Sequence, residues 1–285
     1  MILVTGASGH LGTAVVANLL KKVPASQIVA LVRDEKKSTA LQQQGVNIQI
    51  GDYNDIASLD NAMKGVTKVL LISSTTLTRL TEHKNAVDAA KRANVEQIAY
   101  TGVTMKGLET SPIKPLMTSH FETEEYIKAG GLPYTFLRNS LYTDMLPVYV
   151  GNQVLNTSVI IPAGNGKVPY ASREDMAEAA ANVLTEQGHS NKTYHLTGNA
   201  LYSFYDIAAL LSDLSGKEIT YTDKDPAAFQ DQLKQMGVPE IRIQVLSGFA
   251  ASIKNGEFEL VHDDLARLLG REPSPVAEFL KKQYS

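Results

Sequence analysis

Three glycines near the start of the chain, Gly6, Gly9 and Gly12, have the spacing G-x-x-G-x-x-G and constrain the fold more than any other feature. A short apolar run precedes them at residues 2–4, and apolar residues at helical spacing follow at residues 11–20. The pattern therefore predicts a strand, a tight glycine turn and a helix, in that order. In this context a glycine triplet indicates a dinucleotide-binding turn.

Each glycine of this turn has its own reason to lack a side chain. Gly6 lets the chain turn sharply, Gly9 lets a pyrophosphate approach the backbone, and Gly12 lets the helix pack against the strand. The unpaired N–H groups of the first helical turn would bind the phosphates. A purely structural turn in another α/β protein is the alternative, which the flanking strand and helix disfavour. The residues expected to contact the cofactor here are Gly6, Ser8, Gly9, His10, Leu11 and Gly12.

The composition excludes several classes of protein. The chain has 285 residues, no cysteine, a net charge of −3 and a pI near 6.1. Disulfides and thiolate chemistry are therefore excluded, and no basic surface for nucleic acid is expected. No apolar run approaches the roughly 20 residues that span a bilayer, and a strand beginning at residue 2 leaves no room for a signal peptide. We expect a cytoplasmic protein without nucleic-acid or membrane partners, and self-association into a homo-oligomer is left open.

Strand-like and helix-like segments alternate through the first half of the chain. The strand-like runs lie at residues 28–32, 46–50, 69–72, 98–101 and 134–137. The clearest helical patterns lie at residues 83–93 and 121–129. Continuously apolar runs are typical of strands that are buried on both faces. The alternation predicts an α/β fold, a Rossmann-type doubly wound parallel sheet with helices on both faces.

The pattern loosens after about residue 140, where glycine and proline become frequent. Ser172 and Asp175 have the spacing of a capping box at a helix start. A strand-like run at 193–196 and a helical pattern at 205–214 follow, and the remainder is typical of short helices. We predict a cofactor-binding domain at residues 1–140. A smaller, mostly helical substrate lobe at residues 141–285 would interleave with late strands and close over the carboxyl ends of the sheet.

Polar residues follow the second and third predicted strands. Arg33 follows the second strand, beside the expected adenosine ribose, and a guanidinium suits the 2′-phosphate of NADP. NADP is therefore the predicted cofactor, with NADPH as the hydride donor, although the adjacent Asp34 complicates the choice and a plain surface arginine is the alternative. Asp52 and Tyr53 end the third strand, where they suit an adenine ring, although a simple turn explains them nearly as well.

Small hydroxyl residues end the fourth and fifth predicted strands. Ser73, Ser74 and Thr75 follow the fourth strand, and Thr101 ends the fifth. The ribose and nicotinamide of a bound cofactor would pass this edge of the sheet. We therefore predict that these residues contact the cofactor.

Several segments together resemble the short-chain dehydrogenase superfamily, in its atypical NmrA-like branch. These segments are the turn at residues 5–12, Leu31-Val-Arg33, Gly51-Asp-Tyr53 and Leu137-Arg-Asn-Ser-Leu-Tyr142. The resemblance covers most of the chain and is strongest in the first 145 residues. It implies that Asn139, Ser140 and Tyr142 flank the nicotinamide. Within the branch, the chain is most similar to enzymes that reduce quinones and triphenylmethane dyes.

Catalysis is where the chain departs from that superfamily. The usual Tyr-x-x-x-Lys pair, in which the tyrosine protonates a carbonyl oxygen, occurs nowhere in the sequence. The corresponding segment has His120 in place of the tyrosine and Glu124 in place of the lysine. His120 is then either a helix-start histidine on a solvated face or a proton donor, and Tyr142 is the second candidate for a catalytic group.

A missing proton donor favours acceptors that need little help from an acid. A quinone yields a delocalised phenolate and a triphenylmethane dye is already a carbocation, so positioning against the nicotinamide can supply much of the catalysis. A large flat acceptor needs an apolar, aromatic pocket. The candidate lining residues lie in predicted loops after strands or early in the second lobe, and each could instead be an ordinary packing residue. They are Met105, Met117, Tyr142, Met145, Tyr149 and Tyr170.

The leading hypothesis is an NADPH-dependent reductase of an electron-poor conjugated acceptor, a small aromatic molecule. The alternative from a different class is an NADP-binding redox sensor without turnover, which would also lack the catalytic pair. An isomerase that uses bound nicotinamide transiently is a third hypothesis. The six histidines have no metal-binding spacing, so no metal site is predicted.

Overall fold

The computed structural model describes residues 1–284, with a parallel sheet, helices on both of its faces and a second helical lobe. The strands are β1 (Ile2–Val4), β2 (Ile28–Val32), β3 (Asn47–Ile50), β4 (Lys68–Leu71), β5 (Gln97–Val103), β6 (Tyr134–Asn139), β7 (Val159–Ile160), β8 (Lys192–Leu196) and β9 (Tyr221–Thr222). The helices are α1 (His10–Leu19), α2 (Thr39–Gln43), α3 (Ile56–Ala62), α4 (Arg79–Arg92), α5 (Lys114–Ala129), α6 (Leu146–Val150), α7 (Arg173–Thr185), α8 (Phe204–Ser215), α9 (Pro226–Gln235), α10 (Glu240–Lys254), α11 (Asp264–Leu269) and α12 (Val276–Tyr284).

Seven strands form the main sheet in the order β3-β2-β1-β4-β5-β6-β8, and every neighbouring pair is parallel. β1 and β4 are neighbours although β2 and β3 separate them in the chain, so the strand order reverses there. Such a reversal opens a crevice at the carboxyl ends of the strands, where dinucleotides bind. The predicted Rossmann-type sheet is confirmed, and the glycine turn lies at the reversal.

The central strands are buried because helices cover both faces of the sheet. Every residue of β1, β2 and β5 is buried. One apolar cluster packs the sheet against α1 and α7, with Val15, Val16 and Ala180 among its members. Another packs the sheet against α3 and α4, where Leu59 and Val87 are fully buried. The sheet therefore forms a rigid base for its carboxyl edge.

The second lobe holds the short parallel pair β7 and β9, most of the late helices and an apolar cluster of its own. α7 and β8 return to the first unit: α7 packs against α1 and α11, and β8 extends the sheet beyond β6. Elements after residue 140 therefore contribute to both the sheet unit and the second lobe. The domain boundary at that residue stays a prediction. No helix within residues 1–284 is both long and apolar enough to cross a bilayer.

The start of α7 has half of the predicted capping box. Ser172 Oγ accepts a hydrogen bond from the Asp175 N–H at 3.0 Å. The Asp175 carboxylate instead accepts hydrogen bonds from the Ser274 N–H and from the Arg271 guanidinium. Asp175 is 1% exposed, so these contacts tie the chain before α12 to the start of α7.

Two helices begin earlier than the apolar spacing predicted. α4 begins at Arg79 rather than at His83, and α5 begins at Lys114 rather than at Phe121. In α4 the early turn buries the polar side chains of Arg79 and Glu82, so hydrophobic periodicity gave no signal there. The extra turns place polar side chains near the carboxyl edge of the sheet.

Candidate active site

The turn between β1 and α1 leaves a helix N-terminus available to an anion. Gly6 has φ +58°, and its carbonyl oxygen accepts the Gly9 N–H at 2.9 Å. α1 then begins at His10, and no side chain within residues 1–284 caps it. Leu11 packs into the core, so only its backbone is left for the predicted contact with the cofactor. An uncapped helix start at the strand reversal fits a phosphate-binding turn.

Gly9 and Gly12 are constrained in different ways. A Cβ on Gly12 would lie 2.3 Å from the Gly6 carbonyl oxygen and 2.7 Å from Ala7 Cα, so a larger residue would force α1 away from the strand. A Cβ on Gly9 would lie 3.2 Å from the same carbonyl oxygen. Gly9 is itself exposed, and this open approach to the backbone fits a pyrophosphate.

A cavity of about 800 Å³ lies beside this turn, between α1, α7 and α12. Ser8, Gly9 and His10 line part of it, and Thr143 and Asp144 line another part. Its volume is within the range of small-molecule sites, roughly 300–1,000 Å³. The cavity therefore connects the glycine turn with the segment that follows β6.

Arg33 follows β2 and is exposed at the same edge of the sheet. It forms no ion pair within residues 1–284. The neighbouring Asp34 accepts a hydrogen bond from the Lys36 N–H at 3.0 Å and so caps the next turn. The Arg33 guanidinium therefore has no acidic partner within the described residues, and its charge and shape fit the 2′-phosphate of NADP.

Asp52 and Tyr53 lie in a turn after β3. Asp52 Oδ1 accepts the Asn54 N–H at 2.8 Å. The Tyr53 hydroxyl lies 2.6 Å from Thr5 Oγ1 and 2.8 Å from the Ile72 carbonyl oxygen. The tyrosine thus braces the exits of β1 and β4, and contact of either residue with adenine stays a prediction.

The loop after β4 lies beside the end of β5. The Ser73 N–H donates to Thr101 Oγ1 at 2.9 Å. Ser73 and Ser74 are partly exposed and Thr75 is exposed, whereas Thr101 is 3% exposed. The two serines can face a ligand, while the Thr101 hydroxyl holds the loop.

Tyr142 is held from two sides at the end of β6. Asn139 Nδ2 donates to its hydroxyl at 3.0 Å, and the Arg173 guanidinium lies 4.1 Å from its ring centroid. Arg173 is paired in turn with Asp144. Four side-chain atoms of this segment are buried with no hydrogen-bond partner within residues 1–284: Asn139 Oδ1, Ser140 Oγ, Thr143 Oγ1 and Asp144 Oδ1. Such atoms call for a partner, so the segment fits a site that a polar ligand completes.

His120 is buried in the interior of α5, so the first of its two alternatives, a helix-start histidine on a solvated face, is wrong. It is 8% exposed, and its Nδ1 lies 2.8 Å from the Tyr100 hydroxyl. The difference arises because α5 begins at Lys114, which places His120 against β5. Burial and the positive charge of Arg79 lower the pKa of His120 to about 3. The ring is therefore neutral at pH 7 and is a poor proton donor.

Glu124, at the position of the usual lysine, forms a buried ion pair with Arg138. Nε and Nη2 of Arg138 donate to the two carboxylate oxygens at 2.9 and 2.6 Å, and Glu124 is 2% exposed. Hydrogen bonding to Glu124 raises the pKa of Arg138. A Cβ on Gly102 would lie 3.0 Å from Glu124 Oε1, so the glycine leaves room for the carboxylate. The pair is neutral as a whole and offers no acidic proton.

The predicted acceptor-lining residues do not form one group. The apolar cluster of the second lobe includes or contacts four of them: Met105, Met117, Tyr149 and Tyr170. Tyr142 packs instead against the apolar cluster between the sheet and helices α1 and α7. Met145 is partly exposed in the turn before α6. Met117 lies in α5 rather than in a loop, because α5 begins early. Tyr170 is 2% exposed, so it can contact an acceptor only if the lobe opens.

A pair of partly exposed histidine rings lies beside the end of β8. His195 and His262 stack with 4.3 Å between their ring centroids, and His195 Nδ1 lies 3.0 Å from Thr104 Oγ1. Burial lowers the pKa of His195 to about 4. Within residues 1–284, no three histidine, aspartate or glutamate side chains are grouped to hold a metal ion.

Comparison with known proteins identifies the family. The model of the NmrA-like family matches residues 1–280. The chain belongs to the NmrA-like family. Quinone oxidoreductase 2 of Escherichia coli (strain K12) is 39% identical over 279 residues, which cover 98% of this chain and 96% of that protein. The NmrA-like resemblance inferred from the segments above is confirmed.

Two solved structures of relatives share the fold along nearly the whole NmrA-like chain. The triphenylmethane reductase of Citrobacter sp. complexed with NADP(H) has a TM-score of 0.93 at 41% identity, covering 99% of this chain and 100% of that one. The NADPH-dependent quinone oxidoreductase of Escherichia coli complexed with NADPH has a TM-score of 0.91 at 38% identity, covering 100% of both chains. Both relatives carry the cofactor that Arg33 and the glycine turn predict here.

Sequence reasoning missed three contacts of this NmrA-like site. These are the Arg173–Tyr142 stack, the Glu124–Arg138 ion pair and a hydrogen bond from the Ser74 N–H to His83. Each contact joins residues from different elements, so no local spacing predicts it. One signal was present: Arg138 lies within the segment 137–142 that carries the family resemblance.

Proposed function

We propose that this NmrA-like protein is an NADPH-dependent reductase that transfers hydride to an electron-poor conjugated acceptor, a quinone or a triphenylmethane dye. The observation that carries the proposal is the state of the two residues at the usual catalytic pair. His120 is neutral and buried, and Glu124 is held by Arg138. Neither residue supplies an acidic proton. Acceptors that need no positioned acid therefore suit the site best.

The cofactor-binding part of the proposal rests on separate residues. NADPH supplies the hydride when it is bound. The uncapped start of α1, with Gly9 before it, would bind the pyrophosphate, and Arg33 would bind the 2′-phosphate. Asn139 and Tyr142, at the carboxyl end of β6, would orient the nicotinamide. The NADP(H)-bound relatives support this assignment.

The acceptor part rests on the second lobe and on the relatives. Met105 and Tyr149 are partly exposed at the edge of its apolar cluster, and methionine and tyrosine suit a flat aromatic molecule. The relatives are named for reducing quinones and triphenylmethane dyes. These observations favour turnover over a sensor that only binds NADP. The cytoplasmic location and self-association stay predictions.

A turnover assay tests the proposal. The protein is mixed with NADPH and, separately, with a benzoquinone, malachite green or an aliphatic ketone, and the absorbance of the reduced nicotinamide is followed. We expect oxidation of NADPH with the quinone or the dye and none with the ketone. Binding of NADPH by calorimetry without turnover of any acceptor would identify a redox sensor and refute the proposal. Turnover of the ketone would refute the acid-free mechanism.

A further inference from the structure

Side chains from four parts of the fold hold the three residues that follow β4. Three consecutive N–H groups donate to side chains: Ile72 to Thr5 Oγ1 at 2.9 Å, Ser73 to Thr101 Oγ1 at 2.9 Å and Ser74 to His83 Nε2 at 3.1 Å. The Ile72 carbonyl oxygen accepts a hydrogen bond from the Tyr53 hydroxyl at 2.8 Å. The partners lie directly after β1, in β5, in α4 and in the turn after β3. The loop is therefore fixed before any ligand arrives.

This arrangement decides what the loop can offer to a ligand. The N–H groups of Ser73 and Ser74 are already used. The carbonyl oxygens of both serines accept no hydrogen bond within residues 1–284, and both residues are partly exposed. The backbone here can therefore accept hydrogen bonds but cannot donate them. Such an edge suits the hydroxyl groups of a ribose and does not suit a phosphate, which has no proton to donate.

His83 has a defined tautomer in this network. Its Nε2 accepts the Ser74 N–H, so Nε2 carries no proton. Its Nδ1 lies 2.9 Å from Thr123 Oγ1, whose own proton goes to the Ser119 carbonyl oxygen at 2.7 Å. Nδ1 must therefore carry the proton and donate it to Thr123. His83 is 0% exposed and links α5, through α4, to the loop after β4.

We propose that His83 and Thr101 are positioning residues for the loop of Ser73 and Ser74. They hold its two carbonyl oxygens as a platform of hydrogen-bond acceptors for the nicotinamide ribose of the cofactor. His83 acts through the Ser74 N–H and Thr101 acts through the Ser73 N–H. Neither residue needs to touch the cofactor. The identity of the ligand rests on the proposed function, but the locked geometry does not.

Two variants of His83 separate its two hydrogen bonds. In His83→Gln the side-chain oxygen reaches the position of Nε2, so the bond from Ser74 is kept and the bond to Thr123 is lost. In His83→Asn the amide nitrogen reaches the position of Nδ1, so the bond to Thr123 is kept and the bond from Ser74 is lost. The variants thus differ in the contact that the proposal invokes.

Calorimetry with two ligands measures the effect. Adenosine 2′,5′-bisphosphate is the control ligand because it lacks the nicotinamide ribose. We expect His83→Gln to bind NADPH within roughly twofold of wild type and His83→Asn to bind it roughly three- to tenfold more weakly, the value of one hydrogen bond. Both variants should bind the control ligand as wild type does. Equal NADPH affinity in the two variants, or parallel loss of both ligands, would overturn the proposal.

Two variants of Thr101 give an independent test if the His83 variants do not fold. Thr101→Ser keeps the hydroxyl that accepts the Ser73 N–H, whereas Thr101→Val has nearly the same shape and lacks it. We expect weaker NADPH binding in Thr101→Val alone, with the control ligand unaffected in both. Equal NADPH affinities would refute the platform. Failure of the proposed function would be seen separately, as wild-type protein that binds NADPH without oxidising it.

Discussion

Arg138 donates two hydrogen bonds to the carboxylate of Glu124, at 2.9 and 2.6 Å, although Glu124 is only 2% exposed. In the usual Tyr-x-x-x-Lys pair the position of Glu124 holds a lysine whose charge lowers the pKa of the tyrosine. Here the cation comes from β6 and is neutralised by the carboxylate. The pair thus joins α5 to β6, and it supplies no free charge that could assist His120 as an acid.

The two residues of this pair should differ in what their removal costs. Arg138→Met leaves a buried carboxylate without a partner, which destabilises a protein by about 3–5 kcal/mol. Glu124→Gln leaves Arg138, whose side chain is 24% exposed and can reach water, so its cost should be smaller. Urea unfolding of both variants measures the difference. The double variant should be more stable than Arg138→Met alone, and a less stable double variant would contradict this account.

Gly9 and Gly12 should respond differently to added side chains. Gly9→Val should abolish binding of NADPH and leave the fold largely intact, because the new atoms occupy the pyrophosphate position at an exposed site. Gly12→Ala should lower the melting temperature, because its Cβ would lie 2.3 Å from a backbone oxygen. Calorimetry and thermal unfolding are measured on both variants. Unchanged NADPH affinity in Gly9→Val would place the cofactor elsewhere.

Arg33 should set the preference for NADPH. Arg33→Ala removes the only charge-assisted contact that we assign to the 2′-phosphate, which is worth roughly 1.5–3 kcal/mol or about tenfold or more in affinity. Binding of NADH should change little because it lacks this phosphate. The ratio of the two dissociation constants is the measurement, with Arg33→Lys as the control that keeps the charge. Equal losses for both cofactors would refute the assignment.

The alternation of strands and helices was predictable because fully buried parallel strands appear as continuous apolar runs. Gly6, Gly9 and Gly12 predicted the turn between β1 and α1 because the constraint on each glycine is local: a positive φ, an open approach and close packing. The early turns of α4 and α5 were missed because they bury polar side chains at their contact. Arg79 of α4 donates to the Leu116 carbonyl oxygen of α5 at 3.1 Å, and hydrophobic periodicity cannot report such a contact.

The site was predictable only as far as its residues follow strand ends. Arg33, Ser73 and Asn139 lie at the carboxyl edge of the sheet because every parallel strand ends there. The partners of these residues come from other elements, as when His83 of α4 accepts the Ser74 N–H. Such pairing depends on how helices pack on the sheet. It therefore requires the three-dimensional structure.

Acid should destabilise the protein through its buried neutral histidines. Burial and the charge of Arg79 lower the pKa of both His83 and His120 to about 3, while Glu82 partly opposes this at His83. In the unfolded chain a histidine has a pKa of about 6.5, so below that pH it binds a proton that the buried ring of the folded protein does not bind. The stabilisation is thus complete above pH 6.5 and is lost as the pH falls from there towards 3. The loss is up to about 1.4 kcal/mol per pH unit for each ring.

Urea unfolding between pH 7.5 and 4.5 tests this pH dependence. The midpoint should fall steadily below pH 6.5 in the wild type. In the double variant His83→Gln, His120→Asn the slope should be shallower, because two groups that take up protons on unfolding are gone. Identical slopes for the two proteins would show that these rings titrate normally in the folded state.

The last prediction concerns the chemical step, where His120 replaces the usual tyrosine. His120→Asn keeps a side-chain oxygen near the position of Nδ1, so the Tyr100 hydroxyl retains a partner. If hydride transfer to a stabilised acceptor needs no positioned acid, decolourisation of malachite green should fall by roughly threefold or less, since general acid catalysis is worth about 10²–10⁴-fold. Quinone reduction could fall further, because its product takes up a proton, which water can supply. A loss of a hundredfold or more with the cationic dye, in a variant that still folds and binds NADPH, would refute the acid-free mechanism. His120 would then either protonate the acceptor or hold it against the nicotinamide.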